Sequence, residues 1–520
     1  MPLIKYRLIL LFALCSQSLA SLSQIDSTFP RINVVVEGLS GDTIYLANYY
    51  GTKLFYNDTT VANEHGEFSF AGKPFEECGK YAIVLPGPIF FDIMLVNEPM
   101  TFHTTLSNPS GDMEVVESDE NRVFYDYLKF LTIKRSERTP FDVVLTDSSS
   151  TPLKVEQAKV GMRILSAEVL EYQNGILDFE IDYLFGKYLG MLKEVEVPMP
   201  PSEIEDVDLW RYHWYRNHYW DNVDLTDPRL VRDGALNTLI QRYWGQVLPP
   251  APDTMFVEAV KLLDKVEGNQ EIFKFFLHHM TFESESSKVM CMDKVFVRLV
   301  DKYYSTGKVD WLNDEQLKKI IDRAGELRYS LCGEIAHNIT LPGVDQSSWK
   351  SLHDIEAKYT LLVIWESTCG HCKKEMPILQ RIYEEWNEKG LEIYAIGNDF
   401  EIEPWIDELG KADYSSWTHV SDNPLINAQD SAVKLVYSGT TDLQSLNFRT
   451  TFDVFSTPKL FLLDKDKKIL AKQIGALQLA EMLYRIEGLE PPSPEFFLSE
   501  EAIERLKKKT ETQESKSNTQ

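Results

Sequence analysis

Cysteine is scarce in this sequence, with six residues among 520. Five remain if residues 1–20 are removed as a leader, and an odd number argues against a framework in which every cysteine is paired. Cys78, Cys291 and Cys332 are scattered singly along the chain. Cys291 and Cys332 flank a helical stretch and could pair, but we favour two buried free thiols that act as small hydrophobic residues.

The other two cysteines, Cys369 and Cys372, stand at C-x-x-C spacing. Such a pair can form half of a zinc site, but a structural site needs four ligands and usually a second pair at regular spacing. The sequence offers no second pair of that kind, so we predict no metal.

Basic residues are in deficit, with 53 lysines and arginines against 80 aspartates and glutamates. The formal net charge of -27 repels phosphate backbones. Nucleic acid is therefore not expected as a partner.

Apolar runs long enough to span a bilayer are also lacking, and the run from Leu8 to Cys15 is too short. Lys5 and Arg7 before it and Ser18-Leu19-Ala20 after it are typical of a secretory signal covering residues 1–20. We therefore predict an exported protein of the periplasm or cell envelope. A lipid anchor at Cys15 is the minority interpretation, because the preceding residue is bulkier than lipoprotein signals prefer.

A chain of 520 residues is too long for one core and predicts roughly three domains. In residues 27–118, short alternating segments separated by turn signals predict an antiparallel β sandwich or barrel. The predicted strands are Arg31–Glu37, Thr43–Tyr49, Glu67–Phe70, Tyr81–Leu85, Phe91–Val96 and Met100–Thr105.

Residues 121–330 change to a helical period and predict an all-helical middle domain. The period is seen at Val155, Ala158, Met162, Leu165 and Val169. The stretch from Trp210 to Trp220 is rich in aromatic residues and could bind a peptide or glycan. Aromatic residues on every face favour a buried helix instead.

Residues 333–490 alternate strands and helices, which predicts an α/β domain and makes the fold class multidomain α+β. The predicted strands are Leu361–Trp365, Leu391–Ile396, Lys459–Leu463 and Ile469–Gln473, with a closing helix at Gln478–Ile486. The tail 491–520 is charged and polar, so we predict disorder with a short helix at Glu500–Lys508.

The two cysteines fall where the strand Leu361–Trp365 gives way to a helix. Unpaired amides and the positive end of the helix dipole favour a thiolate there, which makes Cys369 the predicted nucleophile. Cys372 lies one turn on and can resolve a mixed disulfide. Gly370 and His371 tune the pair, and a donating His371 should make its disulfide a stronger oxidant. An inert disulfide is the alternative, but these small intervening residues suit exchange better.

The last third of the chain resembles the thioredoxin fold, and more closely the envelope thiol-disulfide oxidoreductases of the TlpA/ResA type. The resemblance rests on Trp365, Cys369-Gly370-His371-Cys372, Pro377 and Ser456-Thr457-Pro458. It implies a redox-active Cys369–Cys372 disulfide and a cis peptide bond before Pro458, with Thr457, Pro458 and Trp365 binding the substrate. The three-part architecture also resembles multidomain thiol:disulfide interchange proteins of Gram-negative envelopes.

The resemblance further implies a central insertion between Asn398 and Phe452, with helices at Glu401–Leu409 and Ala428–Tyr437. One departure from it matters for the chemistry. Thioredoxins place a buried Asp six residues before the first cysteine, and this chain has Val363 there. Another proton acceptor is then needed, because exchange requires Cys372 to lose its proton.

Glu375 matches a glutamate that TlpA/ResA-type proteins have near the dithiol. It lies three residues beyond Cys372 on the same helix side, so we predict that it shuttles protons for that thiol. The plain alternative is an acidic residue favoured by the helix N-terminus. Glu366 is a weaker candidate, because the turn that carries it is solvent-prone.

The sequence thus predicts an exported protein-disulfide oxidoreductase that needs no cofactor. Its partners would be cysteine-containing envelope proteins and an upstream thiol electron partner. The alternative from another class is an envelope binding or sensing protein that uses the thioredoxin-like domain as a scaffold. A peroxidase is disfavoured, because vicinal cysteines suit dithiol exchange. The direction of electron flow depends on reduction potentials and stays open, as does the oligomeric state.

Overall fold

The computed structural model describes residues 30–87, 89–179, 182–411, 414–422 and 428–499, together with residue 503. The signal predicted at 1–20 and all but one residue of the helix predicted at Glu500–Lys508 lie outside them. Two compact units make up the chain: Met1–Leu248 with Leu262–Phe276, and Pro249–Lys261 with Leu277–Gln520. The division runs through the helical region, so the last helices belong to the same unit as the α/β region.

The first unit opens with two four-stranded sheets, ordered β4-β1-β7-β8 and β3-β2-β5-β6. The strands are β1 (Ile32–Glu37), β2 (Thr43–Tyr50), β3 (Lys53–Val61), β4 (Glu67–Phe70), β5 (Gly79–Leu85), β6 (Ile89–Leu95), β7 (Met100–Thr105) and β8 (Glu114–Glu117). Burial alternates along β1, as the predicted period requires. β1 pairs with β7 in parallel, an exception to the predicted antiparallel order. β3 and β8 escaped prediction because neither contains a fully buried residue.

Helices follow from Asp119 onward. They are α1 (Asp119–Thr146), α2 (Pro152–Phe179), α3 (Leu184–Met191), α4 (Val207–His218), α5 (Gly234–Arg242), α6 (Pro252–Lys265) and α7 (Gln270–Glu285). The prediction of a buried aromatic helix holds only for the end of the stretch, since Tyr219 and Trp220 are buried but no residue of α4 itself is fully buried. Its rings cover one another instead, as where Trp214 stacks on His218 with centroids 4.1 Å apart.

Two further helices, α8 (Asp293–Leu299) and α9 (Asp314–Leu327), belong to the second unit. A disulfide joins Cys291, just before α8, to Cys332, beyond α9, with Cα atoms 5.6 Å apart. The preferred interpretation of these cysteines as free thiols was therefore wrong. The two residues are 41 positions apart, and no spacing rule identifies such a pair.

A two-stranded ladder and a five-stranded sheet form the α/β region. The strands are β9 (Thr340–Pro342), β10 (Trp349–Ser351), β11 (Tyr359–Trp365), β12 (Leu391–Gly397), β13 (Thr418–Ser421), β14 (Lys459–Asp464) and β15 (Ile469–Lys472). The large sheet has the order β13-β12-β11-β14-β15, with β11, β12 and β13 parallel and β14 antiparallel to both neighbours. Every residue of the central strand β11 is buried.

Apolar layers cover both faces of this sheet. The helices are α10 (Cys372–Trp386), α11 (Ile402–Lys411), α12 (Gln429–Tyr437), α13 (Leu443–Leu446), α14 (Phe448–Thr451) and α15 (Ala476–Ile486). α10 and α15 share one core with Leu361 and Val363, and α13 and α14 share the other with Leu362 and Ile364. The predicted multidomain α+β class is confirmed, and so are the two helices expected in the insertion.

Candidate active site

The two cysteines lie where β11 turns into α10. β11 ends at Trp365, and α10 begins at Cys372. The Cys369 amide donates to the Glu366 carbonyl at 3.2 Å, and the Lys373 amide donates to the Cys369 carbonyl at 3.1 Å. Cys369 therefore occupies the turn that starts the helix, as predicted. Cys372 is fully buried and Cys369 is partly exposed, so one sulfur is accessible and the other is protected.

A buried carboxylate holds the turn before the cysteines. Asp399, 5 % exposed, follows β12 and accepts hydrogen bonds from the Ser367 amide at 3.1 and 3.0 Å and from the Ser367 hydroxyl. Because β11 and β12 are parallel, their carboxyl ends meet at one edge of the sheet, where ligand sites of α/β folds lie. Sequence reasoning missed Asp399, although a polar residue directly after a buried parallel strand was the available signal.

The cis-proline loop lies against the accessible sulfur. The Thr457–Pro458 peptide bond is cis, as the resemblance implied. The Cys369 thiol donates to the Thr457 carbonyl, with 3.3 Å between sulfur and oxygen. The structure therefore brings Cys369 and Cys372 together with Thr457-Pro458. Cys369 and Thr457 are 88 residues apart in the sequence.

The two thiols have opposite electrostatic surroundings. Burial raises the pKa of Cys369, but hydrogen bonds with the Thr457 side chain, with Cys372 and with the His371 amide outweigh it, so the pKa lies below its ordinary value. Burial raises the pKa of Cys372 to about 12, against smaller lowering effects. The Cys369 thiol therefore loses its proton at a lower pH than the Cys372 thiol does.

The remaining predicted residues take different positions. Trp365 is 2 % exposed and packs with Tyr414 in the core cluster that also contains Cys372. Its part in substrate binding stays a prediction. Gly370 and His371 are exposed between the cysteines. Val363 is fully buried, and its apolar side chain supplies no proton acceptor.

Glu375 is oriented toward another helix. Its Oε2 accepts a hydrogen bond from the Ala476 amide at 2.7 Å, and Ala476 is the first residue of α15. The carboxylate thus caps α15 and ties it to α10.

The described ranges hold no group of three or more His, Cys, Asp or Glu side chains placed to bind a metal ion. Nor do they contain a helix with the length and apolarity that crossing a membrane requires.

Two family models match the chain. Residues 332–472 match the AhpC/TSA family, and residues 158–326 match a domain of unknown function, DUF5106. The first match covers the α/β region that carries the dithiol, and the second covers most of the helical region. The fold, the dithiol at a helix start and the cis-proline define a thioredoxin-like domain.

The chain is similar to curated relatives over part of its length. It is 43% identical over 68 residues to the thiol-disulfide oxidoreductase ResA of Oceanobacillus iheyensis, which is 12% of this chain and 35% of that protein. It is 31% identical over 124 residues to ResA of Bacillus cereus, which is 24% of this chain and 59% of that protein. The matches thus span about a third and three fifths of these relatives. The resemblance to TlpA/ResA-type proteins is confirmed for the C-terminal third.

One solved structure is similar to part of the chain. It is a domain of a possible thiol-disulfide isomerase from Cytophaga hutchinsonii, 30% identical, covering 31% of this chain and 96% of that chain with a TM-score of 0.26.

Proposed function

We propose that this protein is an exported thiol:disulfide oxidoreductase whose Cys369–Cys372 pair exchanges with cysteine-containing proteins of the cell envelope. The observation that carries the proposal is the asymmetry of the pair, in which an accessible thiol with a lowered pKa precedes a buried thiol with a raised one. The activity named for the ResA relatives supports it. Export rests on the signal pattern in residues 1–20.

The exchange begins when the Cys369 thiolate attacks one sulfur of a substrate disulfide. A mixed disulfide forms, and the other substrate sulfur leaves as a thiolate. Cys372 then loses its proton and attacks the Cys369 sulfur, which closes the Cys369–Cys372 disulfide and releases the second substrate sulfur. The substrate gains two electrons and the protein loses two. The reverse sequence oxidises a substrate dithiol, and the potential of the electron partner decides which direction runs.

Thr457 and Pro458 would bind the substrate backbone in this reaction. The Thr457 carbonyl already accepts from the Cys369 thiol, so a peptide bonded to Cys369 would pass directly beside this loop. Main-chain groups of an extended peptide can pair with exposed backbone of this kind irrespective of side chains. That arrangement suits an enzyme that acts on several protein substrates.

Glu375 would serve as the proton partner of Cys372. It follows Cys372 by three residues on α10, a spacing that places two side chains on one side of a helix, while its bond to Ala476 holds the carboxylate at the start of α15. The absence of a carboxylate at Val363 leaves this role open for another acid.

Covalent trapping tests the proposed function. Cys372→Ala should accumulate mixed disulfides between Cys369 and substrates in the envelope, because the resolving thiol is missing. Dithiothreitol should release them, and the double variant Cys369→Ala/Cys372→Ala should form none. If Cys372→Ala accumulates no reducible adduct, the protein does not exchange disulfides in this way.

A further inference from the structure

The loop that presents the cis-proline, residues 453–458, is closed at its base by a buried ion pair. Its first residue, Asp453, is 8 % exposed and has a φ of 52°, in the left-handed region that non-glycine residues seldom adopt. The Lys459 ammonium, at the start of β14, donates to the Asp453 carbonyl and lies 3.4 Å from its carboxylate. Both ends of the loop are thus held together out of contact with water.

A second cation reaches the same carboxylate from the helical region. Nη1 of Arg323, on α9, lies 2.6 Å from Oδ1 of Asp453. The guanidinium also lies 5.4 Å from the ring centroid of Phe455, within cation–π range. Nε of Arg323 is held by Glu285 at 3.1 Å. Arg323 therefore contacts the loop at its base and near its tip.

The energetics favour one arrangement of this loop. Burial raises the pKa of Asp453, but Arg323 and Lys459 outweigh it, and the pKa lies below its ordinary value. A buried carboxylate that loses one of two cations keeps an incompletely compensated charge, which is strongly destabilising in that position. Moving Asp453 would relieve that cost, and the loop would move with it.

We propose that Arg323 is a positioning residue of the active site, which fixes the cis-proline loop against Cys369 through Asp453 and orients Phe455 as an apolar contact for the substrate polypeptide. Phe455 is 83 % exposed and lies two residues before Thr457. Arg323 lies in the last helix of the region that matches the family of unknown function, so α9, which belongs to the second unit, completes the active site in this proposal. The inference rests on the proposed disulfide exchange.

Three variants of the full-length protein test it. Arg323→Ala should lower kcat/KM for a disulfide-containing peptide on the order of tenfold to a hundredfold, chiefly through KM, as misplaced binding groups do. Arg323→Lys should recover most of the loss, because it keeps a cation beside Asp453. Arg328→Ala is the matched control, since Arg328 pairs with Asp301 at 2.8 Å, and it should match the wild type.

Two further readouts separate positioning from stability. The pH at which alkylation of Cys369 by iodoacetamide speeds up should be higher in Arg323→Ala, because the Thr457 side chain that helps to lower the Cys369 pKa moves with the loop, and it should be unchanged in Arg328→Ala. Amide hydrogen exchange in residues 454–457 should be faster in Arg323→Ala and unchanged in Arg328→Ala.

Unchanged kcat/KM together with unchanged hydrogen exchange in Arg323→Ala would overturn the inference. Equal losses in Arg323→Ala and Arg328→Ala would also overturn it, because they would indicate general destabilisation. If the wild-type protein exchanges no disulfide, the proposed function fails, whereas the hydrogen-exchange comparison still decides whether Arg323 positions the loop.

Discussion

Two cysteine pairs in the second unit differ in their bonding and in their surroundings. Cys369 and Cys372 are three residues apart, carry free thiols and start a helix, with one sulfur accessible. Cys291 and Cys332 are 41 residues apart, are bonded to each other, and belong to irregular segments before α8 and β9. Amides at a helix start and a neighbouring loop lower one thiol pKa in the first pair. The reactivity of a cysteine pair therefore depends on the surroundings of its sulfur atoms, and not only on the proximity of two cysteines.

Noncovalent contacts reinforce the second pair. The Lys472 ammonium, on a side chain 3 % exposed, pairs with Asp293 and donates to the Ser330 carbonyl at 2.7 Å. Asp293 lies two residues after Cys291, and Ser330 two residues before Cys332. Lys472 and the disulfide thus join the same two segments, which indicates that this bond stabilises the fold.

The largest expected effect separates the pairs by activity. Cys369→Ser should lower disulfide exchange by at least about 10³-fold, because it removes the proposed nucleophile. Cys291→Ala/Cys332→Ala should keep the wild-type rate at temperatures where the variant is folded. Reduction of insulin, followed by turbidity, measures both. Comparable losses in the two variants would break the distinction between them.

A smaller effect separates the two thiols within the reactive pair. The pKa of Cys369 lies below its ordinary value, whereas burial raises the pKa of Cys372 to about 12. The thiolate fraction of each cysteine rises as the pH passes its pKa. At pH 8, Cys369 should therefore be alkylated on the order of 10³-fold faster than Cys372. Iodoacetamide labelling read by mass spectrometry tests this, with Cys372→Ala and Cys369→Ala reporting each thiol alone. Equal rates would contradict the assignment of Cys369 as nucleophile.

Sequence reasoning succeeded where the signal is local. The dithiol, the helix start and the turn before Pro458 are each encoded in a few adjacent residues. It failed where partners are distant, as with the disulfide and with Arg323, which is 130 positions from Asp453. The strand β3 was missed because it lacks buried residues, so alternation carried no signal.

The next effect concerns stability and the second pair alone. Cys291→Ala/Cys332→Ala should lower the free energy of unfolding by about 4 kcal/mol, from the loop-entropy relation for a separation of 41 residues. Urea unfolding measures the loss, and Cys369→Ala/Cys372→Ala, which removes two free thiols, is the matched control. If the free energy of unfolding falls only in the control variant and is unchanged in Cys291→Ala/Cys332→Ala, the Cys291–Cys332 bond does not stabilise the fold.

The smallest expected effect concerns Glu375 and tests whether this residue takes the proton of Cys372. Glu375→Gln keeps an oxygen that can accept from the Ala476 amide but removes the negative charge facing the α15 N-terminus, which should cost about 0.3–1 kcal/mol of stability. If Glu375 also takes the Cys372 proton, the variant should resolve a mixed disulfide more slowly. The rate of that step should also begin to rise only at a higher pH. Stopped-flow measurement of that step across pH tests the role, with Glu384→Gln, an exposed position on the same helix, as control. A stability loss with an unchanged pH profile would leave Glu375 as a helix cap, and deprotonation of Cys372 would then depend on solvent or on the substrate.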